Sequence, residues 1–152
     1  MKKQKVLFIC TRNSARSQMA AAFLNNICPD NFEAQSAGME LGGINQFAIE
    51  VMREEGIDIS ANKTQLVFDV LKSGIIFSYA IRVCSEAEME QRACPIFAGP
   101  TKRLSWPFPD PAAFQGSPEA KLECARTVRN AIKKKIEEWC NEVCLAGAPS
   151  TE

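Results

Sequence analysis

Short apolar runs alternate with helix-forming stretches along the first part of the chain. Residues 6–9 form a continuous apolar run, which is typical of a strand buried on both faces. The following residues, 17–28, are rich in good helix formers. Residues 32–37 alternate between apolar and polar side chains and end at Gly38, so they predict a second, short strand.

The remainder of the chain continues this order of helical and extended patterns. The long apolar run of residues 75–83 is typical of a central strand, and residues 102–106 have the mixed polarity of an edge strand. Residues 85–93 are polar and helix-prone. Apolar spacing, capping residues and Gly or Pro breaks predict helices over 45–55, 65–72 and 117–139 and strands over 75–83 and 102–106.

Strands that alternate with helices predict an α/β fold: a single three-layer domain with a four-stranded, open parallel sheet flanked by helices. We assign a single catalytic domain to residues 1–140 and expect the small, polar residues 141–152 to be a frayed tail. Ligands of such sheets bind beyond the carboxyl ends of the strands. Because Cys10, Cys84 and Asp110 each follow a predicted strand, we expect all three at one edge of the sheet.

Charge and composition narrow the classes of function. The 152 residues carry 18 basic and 18 acidic side chains, so bulk charge favours neither nucleic acid nor a membrane surface as a partner. The first apolar run is too short for a signal peptide or a membrane span, which predicts a cytoplasmic protein. In that compartment the seven cysteines are expected to be reduced at rest, and any disulfide to be catalytic or regulatory.

The chain contains no histidine, which excludes Ser-His-Asp and Cys-His catalysis and every His-ligated metal site. It also contains no Cys-x-x-Cys motif, so no metal site is predicted. A nucleophilic cysteine in this chain would need backbone dipoles and arginine to stabilise its thiolate.

The loop of residues 10–17, between the first strand and the first helix, offers both backbone dipoles and an arginine. Unpaired N–H groups at a helix N-terminus stabilise a thiolate and bind anions, so this loop predicts attack by Cys10 on a tetrahedral oxyanion held by Arg16. Asp110 is placed to give a proton to the leaving oxygen. Alternatively, Cys10 is a buried structural thiol and Asp110 a turn residue. The loop reads Cys10, Thr11, Arg12, Asn13, Ser14, Ala15, Arg16 and Ser17.

Several short motifs together resemble the low-molecular-weight protein tyrosine phosphatase fold family, over roughly residues 5–140. They are Cys10-x5-Arg16-Ser17, Ser36-Ala37-Gly38, Gly56-Ile57-Asp58-Ile59-Ser60 and Asp110-Pro111. Two further segments narrow the resemblance to the thioredoxin-coupled arsenate reductases on that fold. These segments are Val83-Cys84 and Ala93-Cys94-Pro95-Ile96.

The resemblance implies a thiol relay without a bound cofactor. Cys10 attacks arsenate, Cys84 attacks Cys10 with release of arsenite, and Cys94 attacks Cys84 to leave a disulfide that thioredoxin reduces. In that family Arg16 binds the oxyanion, Asp110 is the general acid, and the positions of Asn13 and Ser17 hold the loop and the thiolate. The partners implied are arsenate and thioredoxin, and we expect a monomer.

The relay requires a change of shape between residues 84 and 95. A helix over this segment would separate the Cα atoms of Cys84 and Cys94 by about 15 Å, whereas a disulfide needs roughly 4.4–6.8 Å. We therefore expect the segment to unwind when Cys94 is recruited. The other cysteines are expected to be unrelated small apolar side chains: Cys28, Cys124, Cys140 and Cys144.

Three departures from the family pattern are notable. Arg12 replaces a small residue, and Ala15 stands where some members carry a further cysteine. Some relatives bind potassium behind the loop, but Ala21 and Gln65 stand at two of the matching positions, which argues against that site.

Two other functions fit parts of the pattern. A tyrosine or small-molecule phosphatase would use Cys10, Arg16 and Asp110 in the same roles, although Ala112-Ala113 follow where such enzymes commonly carry aromatic rings. A non-enzymatic redox sensor would use only the Cys84–Cys94 disulfide. Arsenate reduction, with weak phosphatase activity as a side reaction, accounts for more of the motifs than either.

Overall fold

The computed structural model describes residues 3–85 and 100–147. Four parallel strands form one sheet in the order β2-β1-β3-β4, with helices on both faces. This confirms the predicted four-stranded parallel α/β fold. The strands are β1 (Gln4–Cys10), β2 (Phe32–Gly38), β3 (Tyr79–Arg82) and β4 (Lys102–Ser105), and the helices are α1 (Arg16–Ile27), α2 (Gln46–Glu54), α3 (Val67–Lys72), a 3₁₀ turn (Pro111–Ala113) and α4 (Pro118–Gly147).

Strand β1 is central, and its last five residues are buried. Alternate side chains of β1 enter two separate cores, as the pleat of a strand requires. Val6 and Phe8 join the larger core with α1, α2 and α4, and Leu7 and Ile9 join the smaller core with α3. A strand covered on both faces has no polar side, which explains its continuous apolar run.

Strand register brings the predicted site residues to the same edge of the sheet. Cys10 at the end of β1 pairs with Gly38 at the end of β2, and Ile9 pairs with Arg82 at the end of β3. Cys84 follows two residues later, and Asp110 lies five residues beyond the end of β4.

Two predicted boundaries are wrong. The apolar run 75–83 forms a strand only over Tyr79–Arg82, because pairing with β1 begins at Val6↔Tyr79, and Ile76 before it is 72% exposed. Helix α4 does not end near Trp139 but continues to Gly147, so residues 141–147 of the expected frayed tail are helical. The extension is favoured because Trp139 stacks on Phe32, with their ring centroids 4.9 Å apart, and later residues of the helix still reach the core.

A disulfide joins Cys28, at the C-terminal end of α1, to Cys140 of α4. Their Cα atoms are 6.6 Å apart, within the range that a disulfide spans. The predictions that both cysteines are unrelated apolar side chains and that all seven cysteines are reduced are therefore wrong. Helix α1 separates this bond from Cys10 by twelve residues, or about 18 Å of helix.

Candidate active site

The loop of residues 10–17 is held from outside by the loop of residues 39–45, which leads from β2 to α2. Backbone N–H groups of the 39–45 loop donate to the carbonyl groups of the 10–17 loop. The bonds run from Met39 to Cys10 (3.1 Å), Glu40 to Thr11 (2.9 Å), Gly42 to Arg12 (3.2 Å) and Asn45 to Ser14 (2.9 Å).

This row of hydrogen bonds fixes where the amides of the 10–17 loop point. In a trans peptide the N–H lies opposite the carbonyl, and the described residues contain no cis peptide. The N–H groups that share peptide planes with these carbonyls therefore face away from the 39–45 loop. The N–H of Asn13 illustrates the result, because it donates to the Sγ atom of Cys10 at 3.2 Å.

The backbone of the two loops approaches closely at Gly38. A Cβ atom there would lie 2.7 Å from the backbone nitrogen of Asn13 and 2.8 Å from the carbonyl carbon of Arg12. Only glycine fits this position, which gives the Ser36-Ala37-Gly38 motif a physical reason. Asn13 itself has a φ of 57°, a left-handed conformation that asparagine adopts more readily than most residues.

The sulfur of Cys10 lies 2.9 Å from the hydroxyl oxygen of Ser17, and both side chains are buried. Asn13 Nδ2 donates to the same hydroxyl oxygen at 2.9 Å. A thiolate at Cys10 carries no proton, so in that state the Ser17 hydroxyl is the donor to the sulfur. Two donors, this hydroxyl and the N–H of Asn13, therefore stabilise a thiolate at Cys10.

Arg16 connects the 10–17 loop to the segment that carries Asp110. Its side chain is only 3% exposed, donates to the carbonyl of Phe108 at 3.1 Å and lies 3.6 Å from Asp110 Oδ2. The cavity that these residues enclose has a volume of about 30 Å³, enough for a small group that is rich in oxygen. Its lining residues are Cys10, Thr11, Arg12, Ser14, Ala15, Arg16 and Asp110.

Cys84 is a buried cysteine beside the same loop. Its Sγ atom lies 3.8 Å from the Oγ1 atom of Thr11, the residue that follows Cys10, and 3.9 Å from the carbonyl oxygen of Ile9. The structure thus brings Cys84 to the loop of Cys10. Cys94, the expected helix over 85–93 and the expected unwinding of 84–95 lie outside the described residues, apart from Cys84 and Ser85.

The position that binds potassium in some relatives holds hydrogen-bond donors in this chain. Gln65 donates its backbone N–H to Asn13 Oδ1 at 2.9 Å and its side-chain Nε2 to the carbonyl of Ser36 at 2.9 Å. A hard cation requires oxygen ligands, and Ala21 supplies no carboxylate. These residues do not fit a potassium ion. Elsewhere in the described part of the chain, no group of three or more Cys, Asp or Glu side chains is arranged to hold a metal.

Comparison with known proteins agrees with this geometry. The family model for low molecular weight phosphotyrosine protein phosphatases matches residues 5–146. The chain belongs to this phosphatase family. Within 3–85 and 100–147, no helix combines the length and apolar character needed to cross a membrane.

Curated relatives of this phosphatase-family chain include arsenate reductases. The enzyme of Shouchella clausii is 36% identical over 140 residues, covering 91% of this chain and 96% of that protein. The enzyme of Staphylococcus aureus (strain Newman) is 37% identical over 140 residues, covering 91% and 98%. A solved arsenate reductase in the oxidized state superimposes with a TM-score of 0.69 and 28% identity, covering 89% of this chain and 95% of that one.

Sequence reasoning missed the residues that support the site from outside the 10–17 loop. Gln65 and the 39–45 loop are distant in sequence and carry no nucleophile or cation at a strand end. One signal was available: Gly38 ends the second strand, and a glycine in a strand often marks the close approach of another backbone. The fold is needed to show that the approaching backbone is that of Arg12 and Asn13.

Proposed function

We propose that the protein is an arsenate reductase in which Cys10, Cys84 and Cys94 form a thiol–disulfide relay. The observation that carries the proposal is the position of Cys84, a buried cysteine whose sulfur contacts Thr11, next to Cys10. A phosphatase needs only the nucleophile, the arginine and the acid. A second thiol beside the nucleophile supplies a route for two electrons.

The residues account for each step in turn. The Cys10 thiolate attacks arsenic while Arg16 and the loop amides hold the oxyanion, and Asp110 protonates the oxygen that leaves as water. Cys84 then attacks the Cys10 sulfur, so the S–As bond breaks, its electron pair reduces arsenic from +5 to +3, and arsenite departs. Cys94 attacks Cys84 and frees Cys10. An external dithiol, which we propose to be thioredoxin, reduces the Cys84–Cys94 disulfide.

Arsenate-dependent NADPH oxidation, coupled through thioredoxin and its reductase, tests this proposal. C10S is expected to abolish turnover, and C84S and C94S are expected to stop after at most one turnover per molecule. C124S is the matched control, because Cys124 is a free thiol on α4, and it should turn over like the wild type. Multiple turnover by C84S would contradict the relay. No turnover in any form would leave the redox sensor as the explanation.

Phosphatase activity is the second candidate, supported by the Cys10–Arg16–Asp110 arrangement and the family membership. Water would replace Cys84 as the attacker of a phosphocysteine at Cys10. Aryl phosphate hydrolysis by C84S and C94S at the wild-type rate, without arsenate turnover in the wild type, would favour this candidate.

We further propose that the protein acts in the cytoplasm as a monomer without a bound cofactor. A reducing compartment suits a relay that must be regenerated by an external thiol. Light scattering during size-exclusion chromatography tests the monomer, for which the expected mass is 16.8 kDa.

A further inference from the structure

Arg12 lines the cavity of about 30 Å³ beside Cys10, together with Arg16 and Asp110, and lies at its mouth. Its side chain is 64% exposed, and its Nε atom lies 3.4 Å from Glu40 Oε1. The base of the side chain is fixed, because the backbone carbonyl accepts a hydrogen bond from Gly42 and the aliphatic stem packs over that glycine. The guanidinium extends beyond this packed stem and pairs with Glu40.

A tetrahedral oxyanion in this loop has one oxygen that faces the mouth. Loop amides and Arg16 bind the inner oxygens, and attack by Cys10 in line with a leaving oxygen places that oxygen outward, towards Asp110. In an inorganic oxyanion the outward oxygen is unsubstituted and accepts hydrogen bonds. In a phosphate monoester the same position carries the organic group.

We propose that Arg12 is a specificity-determining residue that binds the outward oxygen and makes the site selective for small inorganic oxyanions over aryl phosphate esters. Glu40 competes for Arg12 when the cavity holds no anion. The inference rests on the proposed function, since inorganic arsenate is the substrate named there, and it adds the residue that selects this substrate class.

The dimensions of the site support this selectivity. The cavity volume of about 30 Å³ is small beside the roughly 150 Å³ of an apolar cavity that holds benzene. An aryl group must therefore lie over the rim, where the Arg12–Glu40 ion pair would lose contact with water. Burying a charged pair without new hydrogen bonds is unfavourable.

Binding of two non-reducible probes, inorganic phosphate and phenylphosphonate, tests the inference by calorimetric titration of the reduced protein. Phenylphosphonate carries a ring at the outward position, whereas phosphate carries an oxygen. R12A is expected to bind phosphate about tenfold more weakly, the effect of losing one hydrogen bond to a charged group. Its affinity for phenylphosphonate should not fall, because the ring no longer has to cover the Arg12–Glu40 ion pair.

E40Q provides a variant with the opposite expected sign, which misfolding cannot imitate. Removing the competing carboxylate frees Arg12, so phosphate should bind about two- to fivefold more tightly. K72A is the matched control: Lys72 is an exposed cation at the end of α3, before the turn that leads to the start of β3 and hence to the opposite edge of the sheet. It should bind both probes like the wild type.

Wild-type affinity of R12A for phosphate, or equal weakening of both probes, overturns the inference. Weaker phosphate binding by E40Q overturns the competition by Glu40. These outcomes are independent of the relay, because neither probe is reduced. A wild type that fails to reduce arsenate while R12A still shows the selective tenfold loss would contradict the proposed function and support this inference.

Discussion

Ser17 is placed to stabilise the proposed nucleophile, Cys10, in a chain without histidine. Its oxygen accepts from Asn13 Nδ2 and lies 2.9 Å from the sulfur of Cys10, to which the Ser17 hydroxyl donates when Cys10 is a thiolate. Asn13 is in turn held by Gln65. This series of hydrogen bonds links the Ser17 hydroxyl, which donates to the thiolate, to Gln65, a residue more than fifty positions away in the sequence.

Replacing Ser17 by alanine is expected to lower kcat for arsenate about ten- to a hundredfold, because a hydrogen bond to a charged group is worth about 1.5–3 kcal/mol. KM should change much less, since Ser17 bonds to the sulfur and not to the substrate. Steady-state kinetics in the thioredoxin-coupled assay measure both constants. S73A, which removes a hydroxyl at the end of α3, is the matched control. Unchanged kcat in S17A would show that the Ser17 hydroxyl does not stabilise the thiolate.

The sequence predicts residues of the site that lie at strand ends and misses those that act through the fold. Cys10, Cys84 and Asp110 could be placed at one edge because parallel strands all end there. Glu40 and Gln65 could not, since their contacts depend on how the loop after β2 and the segment before α3 return to the 10–17 loop. Neither residue belongs to a motif with chemistry of its own.

At the scale of elements, the bond between Cys28 and Cys140 ties α1 to α4 across 112 residues of chain. Helix α1 begins at Arg16, which belongs to the candidate site, and the disulfide anchors the C-terminal end of this helix to α4. Sequence could not predict this pairing, because seven cysteines offer many combinations and the relevant two meet only after both helices have packed on the sheet.

Reduction of this disulfide is expected to lower the melting temperature by about 10 °C. Closing a loop of this length is worth about 3–5 kcal/mol, and 1 kcal/mol corresponds to about 2–4 °C in a protein of this size. Thermal unfolding of the air-oxidised C84S/C94S protein, in which the relay disulfide cannot form, measures the shift with and without dithiothreitol. C28S/C140S in the same background should melt at one temperature in both buffers, whereas C124S in that background should retain the shift. A C84S/C94S melting temperature that is insensitive to reductant would contradict the stabilising role.

The boundaries of elements depended on neighbours that the local pattern does not contain. The apolar run 75–83 is hydrophobic throughout, yet only Tyr79–Arg82 has strand β1 beside it to pair with. Helix α4 extends beyond its predicted end because the ring of Trp139 packs against those of Phe32, Tyr79 and Trp106. Local pattern predicted the existence and order of the elements well, since each depends mainly on its own amphipathicity.

Across the whole molecule, a group of charges joins α2 to α4. Glu54 accepts from Arg126 at 2.8 Å and pairs with Arg129, which is largely buried and also donates to the carbonyl of Val51. Hydrogen bonds from Arg126 and Arg129 lower the pKa of Glu54 from 4.5 to about 2. Beside it, a hydrogen bond from Lys133 lowers the pKa of Glu55.

A lowered pKa in the folded state makes the stability depend on pH. Glu54 stabilises the fold fully above its unfolded pKa, near 4.5, and this contribution is lost as the pH falls towards 2. We expect E54Q to be less stable than the wild type in urea at pH 7, with the difference shrinking between pH 4.5 and 2. E50Q, an exposed substitution on the same helix, is the control. A difference that stays constant over this range would contradict the ionic origin.

The row of hydrogen bonds between the 39–45 and 10–17 loops makes backbone amide exchange a reporter of the site. The N–H groups of Met39, Glu40, Gly42 and Asn45 lie outside helices and strands, where amides ordinarily exchange fast with solvent deuterium. Each of them donates a hydrogen bond to a carbonyl of the 10–17 loop, so it can exchange only when that loop opens. Their exchange rates therefore measure the opening of the 10–17 loop without any label on a cysteine, and an anion that binds this loop and slows its opening is expected to slow all four together.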